Sequence, residues 1–161
     1  MRKIQTLALI FLTITSAFSL QARAQDTDEI GTLNGQVVRL YQAGKYAEAI
    51  VVARKALELS EQKFGPDHPS VGTTLNNLAL LYRAQGRYAE AEPLYKRDLA
   101  ISEKALGPDH PSVGTTLNNL AGLYYVQGDW ATATQYFRRG TDLIVARTRR
   151  STQTVGLRLT G

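Results

Sequence analysis

Residues 65–79 read GPDHPSVGTTLNNLA and so do residues 107–121, so fifteen residues recur unchanged after a step of 42. Self-similarity at a fixed period of about 20 to 50 residues marks a solenoid, in which each copy is one supersecondary unit that hides its apolar face only against its neighbours. The period also reaches beyond the identical block. Gly44-Lys45-Tyr46-Ala47-Glu48-Ala49, Gly86-Arg87-Tyr88-Ala89-Glu90-Ala91 and Gly128-Asp129-Trp130-Ala131-Thr132-Ala133 fall 42 residues apart, which makes three copies. Val155, Gly156 and Leu159 stand 42 residues after Val113, Gly114 and Leu117, as if a fourth copy began before Gly161. The C-terminal end of the stack is therefore expected to be open, and self-association could pass through it.

Within a copy the apolar spacing is helical. Leu75, Leu78, Ala79 and Tyr82 recur at i, i+3, i+4 and i+7, the stripe of a helix with one buried face. Pro69 suits a first turn and Asp67 is the candidate cap, so a helix A is expected over about Ser70 to Gln85, ended by Gly86. A helix B follows from Tyr88 to Leu106, with Ala91, Leu94, Tyr95, Leu99 and Ser102 inward. The run Gly107-Pro108-Asp109-His110-Pro111 then breaks the chain, because its prolines cannot donate to a helix and push their predecessors out of the helical region. Ala79 against Ala91, and Ala121 against Ala133, let each pair of helices approach closely, and Tyr46, Tyr88 or Trp130 is expected to fill the wedge beside them.

These residues resemble the tetratricopeptide repeat: Ala79, Tyr82, Gly86, Tyr88, Ala91 and Tyr95, then Ala121, Tyr124, Gly128, Trp130, Ala133 and Phe137. The 42-residue step with its LNNLA and GPDHP phrases is similar to the kinesin-light-chain-like variety, and to the N-terminal repeat region of bacterial CHAT-domain proteins. The resemblance spans about Thr32 to Arg147. It implies an all-α, right-handed solenoid of antiparallel helical hairpins. The copies are placed at about 32–65, 70–107 and 112–148 within a domain of residues 25–148, leaving 149–161 as a truncated fourth repeat or a frayed tail. Two departures, Asp98 where alanine is usual and Pro93 inside helix B, are expected to loosen the second hairpin. Val37 and Ala53 mark the first copy as an atypical end.

The resemblance also implies where a partner binds. One face of successive A helices lines a concave groove for an extended peptide. Carried over residue by residue, that groove presents Asn34, Val38 and Tyr41 from the first copy. The second supplies Asn76, Asn77, Leu80 and Arg83, and the third Asn118, Asn119 and Tyr125. Asparagine amides can both donate to and accept from a peptide backbone, tyrosines give rigid contact area, and Arg83 can pair with a carboxylate. The competing reading of the asparagines is that they bond helix ends or neighbouring backbone.

The amino terminus reads as an export leader. Arg2 and Lys3 precede the apolar stretch Leu7 to Ile14, and Ala22-Arg23-Ala24 forms a small-x-small cleavage site, so residues 1–24 are expected to be removed. An uncleaved membrane anchor is disfavoured because Thr13, Thr15, Ser16 and Ser19 interrupt the run, and a span needs about 20 mostly apolar residues. A chain with no cysteine has neither a lipid-modified cysteine nor disulfides, and the expected location is a bacterial periplasm or exterior.

Of the 19 Lys plus Arg, three (Arg2, Lys3, Arg23) lie in the leader, so 16 bases face 14 acids in the remainder. That is no signature of a polyanion binder. Arg138, Arg139, Arg147, Arg149, Arg150 and Arg158 do cluster against the single acid Asp142, and are read as a solvated helix face in preference to a contact for an acidic partner. With no aromatic between Arg138 and Gly161 to stack bases, nucleic acid is not an expected partner.

Catalytic chemistry has little to stand on. His68 and His110, the only histidines, sit in the GPDHP linkers, where they read as turn residues in preference to metal ligands with Asp67 and Asp109. There is no Gly-x-Ser-x-Gly elbow, no phosphate-binding glycine loop, and no cysteine for the dyad of a CHAT-type protease. The expectation is a non-catalytic, cofactor-free scaffold for an unidentified protein or extended peptide, free of the membrane once its leader is gone. The rival is a regulatory or substrate-receptor segment of a larger caspase-like enzyme.

Overall fold

Each glycine that opens a repeat phrase has a backbone conformation that side-chain-bearing residues rarely adopt: Gly44, Gly86 and Gly128 lie at φ 70°, 73° and 81°. There the chain reverses and a hairpin closes. The computed structural model describes residues 29–159, with the side chains at 151 and 153–159 excepted. The expected leader, residues 1–24, lies outside the described residues. Among these there are six helices: α1 over residues 29–42, α2 Tyr46–Phe64, α3 Pro69–Ala84, α4 Tyr88–Leu106, α5 Pro111–Val126 and α6 Trp130–Leu159. They form three hairpins, α1/α2, α3/α4 and α5/α6, in an all-α solenoid. From α2 onward each helix packs on the next, and α3 also touches α5.

One apolar cluster runs through all three hairpins, from Val37 and Ala53 through Leu78, Ala79, Tyr82, Ala91 and Tyr95 to Leu117, Leu120 and Leu143. The paired alanines are fully or almost fully buried, with Ala79, Ala91 and Ala121 at 0% and Ala133 at 2% exposure, as close helix approach requires. Ion pairs repeat with the same step. Arg97 of α4 bonds Glu61 of α2 at 2.6 Å, and Arg139 of α6 bonds Glu103 of α4.

Several expectations change. The cap of α3 is His68, whose Nδ1 accepts from the Ser70 N–H at 3.1 Å, and His110 caps α5 in the same way at 3.2 Å. Asp67, the expected cap, instead pairs with Lys104 at 2.6 Å, which holds its carboxyl below the usual range. Pro93 does not break α4; it lies on the exposed side, where the carbonyl it leaves unbonded can meet water. Asp98 is buried between α4 and α5, where its carboxylate accepts from Ser102 Oγ at 3.2 Å and from Thr116 Oγ1 of α5 at 2.5 Å. Tyr46 and Tyr88 are half-buried as wedge fillers, but Trp130 is 59% exposed, since no described helix packs beyond α6.

The last hairpin also differs in length. No GPDHP phrase interrupts α6, so residues 149–159 continue it as helix. Two of the C-terminal arginines have structural partners: Arg139 pairs with Glu103, and Arg150 with Asp109 at 2.6 Å.

Candidate peptide groove

Because the copies are in strict register, residues 42 apart form rows across α1, α3 and α5. One row is Tyr41, Arg83 and Tyr125; the next is Val38, Leu80 and Gly122; a third is Gln42, Ala84 and Val126. The rows border two adjoining depressions. The first, of about 300 Å³, is lined by Tyr41, Leu80, Arg83, Ala84, Tyr88 and Val126, so it draws on α1, α3, α4 and α5. The second, of about 190 Å³, is lined by Val37, Val38, Tyr41, Gln42, Asn77, Leu80 and Leu81. Tyr41 and Leu80 belong to both, which makes the depressions one continuous trough.

The walls are amphipathic and accessible. Val38 is 48% and Tyr41 40% exposed, and the Tyr41 ring is propped by Tyr46 at a centroid distance of 5.5 Å; Tyr125, 54% exposed and set edge-on against Trp130 at 4.7 Å, lines neither depression. A ring held by a neighbour loses little freedom on binding. Arg83 reaches from α3 across to α5, where a side-chain carbon on Gly122 would lie 3.2 Å from its Nη2. The glycine thus makes room for the guanidinium. Beneath lies Tyr95 of α4, completely buried; burial pushes its hydroxyl up to about 12, against the nearby Arg83 charge, which pulls it down. Among the described residues Arg83 is the one cation lining either depression.

The asparagines do not form the uniform row that the carry-over implied. Asn119 Nδ2 of α5 donates to Asn76 Oδ1 of α3 at 2.8 Å, so this pair ties adjacent A helices together. Asn118 is exposed but turned toward α6, where its Oδ1 lies within 3.1 Å of a side-chain carbon built on Gly140. Asn34 Oδ1 is buried and has no hydrogen-bond partner among the described residues. Of the expected asparagines, only Asn77 lines the trough. The physical reason is register: the first asparagine of each LNN phrase faces onward along the stack and the second faces back. Sequence reasoning missed Gln42, Tyr88, Gly122 and Val126. Gln42 and Val126 are the 42-step partners of Ala84, which follows Arg83 on α3, so row alignment was the available signal.

A third depression, of about 210 Å³, opens beyond the Asn76–Asn119 pair and is lined mainly by hydroxyl-bearing side chains, among them Thr73, Ser112 and Thr115, with Asp98 at its base. Burial raises the Asp98 carboxyl above its ordinary range, with the Thr116 and Ser102 hydrogen bonds opposing that shift. Among the described residues no three His, Cys, Asp or Glu side chains gather as metal ligands, and no helix is long and apolar enough to cross a membrane.

With this geometry in place, comparison with known proteins defines the class. The family model described as tetratricopeptide repeat matches residues 28–104 and 73–144, well over half the chain, and the protein belongs to that family. Its repeats are typically non-catalytic scaffolds that bind proteins or peptides, and no catalytic family is matched. No curated protein matches the chain.

Among solved structures the chain is similar to BtubC (BKLC) from P. vanneervenii, with a TM-score of 0.67 and 24% identity over 71% of this chain and 45% of that one. A kinesin-light-chain protein of nearly identical TPR-like repeats from Podosopora anserina gives 0.65 and 24%, over 71% and 54%. The TPR domain of Arabidopsis FLU gives 0.66 and 19%, over 78% and 98%. The chain thus spans about half the length of the first two, and at these identities the likeness is one of fold. The expected likeness to CHAT-type proteins is not shown by these matches.

Proposed function

We propose that this protein is an exported, non-catalytic scaffold that holds an extended segment of a partner protein along the A-helix face of its three hairpins. The observation that carries the reading is the trough itself: two adjoining depressions that share Tyr41 and Leu80 and draw on α1, α3, α4 and α5, apolar and aromatic along their walls, with Arg83 as a cation. Such a surface takes a short peptide strand with apolar side chains at intervals and a carboxylate against Arg83. Three hairpins give a short trough, so affinities of about micromolar are expected. The export part of the reading is supported by the leader-like residues 1–24 and the absence of cysteine. The rival, a receptor segment serving a caspase-like enzyme, would use the same face. It is the weaker reading because the family matched is one of scaffolds.

Peptides selected from a random display library on the immobilised protein test the groove. Selected peptides should bind in solution by fluorescence polarisation and lose at least about tenfold in affinity with Tyr41→Ala plus Arg83→Glu, since each removes contact or charge from the trough. Unchanged binding would defeat the groove assignment. Cell fractionation with the leader intact tests export, and retention of the full-length chain in the cytoplasm would reject it.

A further inference from the structure

The outer side of α6 carries a second surface, which meets the groove face only at Trp130, whose ring lies edge-on against Tyr125. Trp130, Phe137 and Ile144 recur every seven residues, and Thr134, Thr141 and Thr148 fall four residues after each of them. This alternating four-and-three spacing is that of a helix–helix seam. The apolar members are exposed at 59%, 44% and 55%. The threonines add to the apolar character, because each turns its hydroxyl back onto its own helix: Thr134 onto the Trp130 carbonyl at 2.7 Å, Thr141 onto Phe137 at 2.9 Å and Thr148 onto Ile144 at 3.0 Å. The stripe is about 27 Å long at 1.5 Å per residue.

The fold already shows how such a stripe is covered. The same register on α4, 42 residues earlier, is Tyr88, Glu92, Tyr95, Leu99, Ser102 and Leu106. There α5 lies across it: Tyr124 donates to Glu92 at 2.7 Å, Val126 shares a depression with Tyr88, and Ser112 shares another with Ser102 and Leu106. Tyr95, Leu99 and Ser102 are buried as a result. On α6 the matching residues are open.

Charge decides the occupant. The seam's flanking positions hold Arg138 on one side and Arg147 on the other; Asp142 lies outside the stripe, and Asp109 of the preceding linker, which lines a depression with Ile144, Arg147 and Thr148, is paired with Arg150 at 2.6 Å. Where α4 offers Glu92 to its neighbour, α6 offers uncharged Thr134. A second copy docking α6 on α6 would oppose arginine to arginine. The N-terminal helix of another copy is no better suited, since its outward residues Glu29, Thr32, Gln36 and Arg39 are polar and exposed. A membrane surface asks for a broad apolar face rather than a two-residue-wide seam. We infer that the outer face of α6 docks an amphipathic helix of a partner protein whose apolar stripe is flanked by Asp or Glu, seated on α6 as α5 is seated on α4.

The test uses the full chain and two synthetic amphipathic helices of about 21 residues with identical leucine stripes, one flanked by glutamate and the other by lysine. Trp130 is the only tryptophan, so its emission reports directly on the seam. The glutamate helix should bind with a blue shift, less tightly as salt rises, and the lysine helix at least about tenfold more weakly. Arg138→Glu plus Arg147→Glu should invert the preference, and Phe137→Glu should abolish binding with helix content unchanged. Arg83→Glu should leave the signal intact, which separates this surface from the groove. Equal binding of both helices, binding of neither, or indifference to charge reversal would overturn the inference. So would a concentration-dependent shift without peptide, which would assign the seam to a second copy, or preferential transfer to phosphatidylglycerol vesicles.

Discussion

Replacing Asp98 by alanine should make this protein more stable at neutral pH and less stable in acid. Asp98 is 3% exposed, and its carboxylate accepts from two hydroxyls, Ser102 at 3.2 Å and Thr116 at 2.5 Å, with no cation among the described residues bonded to it. Hydrogen bonds to a charged group contribute about 1.5–3 kcal/mol each, while burying a carboxylate costs several kcal/mol. The direction of the balance is given by the carboxyl itself, raised above its ordinary range mainly by burial. The charged form is therefore a net burden on the folded state.

The repeat supplies the structure of the variant. Forty-two residues earlier the position is Ala56, and there Ser60, the counterpart of Ser102, donates to the Ala56 carbonyl at 2.7 Å. Thr116 has the Ser112 carbonyl at 3.0 Å as the other acceptor for its single hydroxyl proton. No buried hydroxyl is orphaned by the change. The remaining cost is a cavity of about 30 Å³, the room of one water, or about 0.7 kcal/mol at ~24 cal/mol per Å³. The net expectation at pH 7 is a gain of about 1 kcal/mol after that cost.

The sign with pH follows from linkage. A carboxyl whose folded value is raised contributes stability that is fully present below its unfolded value and is lost as pH rises through the folded one. In acid Asp98 is neutral and its bonds carry no charge penalty, so there the alanine variant should be about 1–2 kcal/mol less stable than wild type, from the cavity plus a lost neutral hydrogen bond. Urea denaturation followed by far-ultraviolet circular dichroism from pH 3.5 to 8 measures both. Parallel curves for the two proteins, or a variant weaker at every pH, would refute the reasoning.

Two further substitutions probe the same packing. Gly72→Ala should destabilise by about 1–3 kcal/mol, because its new carbon would lie 2.7 Å from Asp98 Oδ1, whereas Gly114→Ala, 3.9 Å from Leu143 Cδ2, should gain about 0.5–1 kcal/mol of helix propensity. Combining Gly72→Ala with Asp98→Ala should remove most of the loss, and thermal melts of all four proteins would expose a failure of that coupling. Pro93→Ala should raise stability by about 1–3 kcal/mol, since it restores a helical N–H on the exposed side of α4; an unchanged denaturation midpoint would show that the helix already compensates.

Much of the fold was legible in the chain because a solenoid is a local object. A repeated glycine fixes each reversal, a repeated proline pair fixes each break, and the i, i+3, i+4 spacing of Leu75, Leu78 and Ala79 fixes which side of α3 is buried. None of these needs a distant partner. The caps escaped because aspartate is the commoner capping residue, yet in GPDHP it is the histidine next to the proline whose ring nitrogen reaches back to the backbone.

The candidate site was legible in outline and not in detail. The carry-over from the repeat family named the face that holds Tyr41, Leu80 and Arg83, but a residue-by-residue transfer cannot tell a residue that faces open space from one that faces the next hairpin. That is why Asn76 and Asn119 were expected to meet a ligand and instead meet each other across α3 and α5.

By itself, then, the sequence determined the unit, its period and the buried stripe, which depend on bond geometry and hydrophobic spacing within about twenty neighbouring residues. Only the tertiary structure decided what lies between units: that Asp98 bridges α4 to α5, that Gly122 clears space for Arg83, and that Trp130, Phe137 and Ile144 stay open where their counterparts are covered. Those outcomes turn on distances between residues far apart in the chain, set by how one hairpin seats on the next.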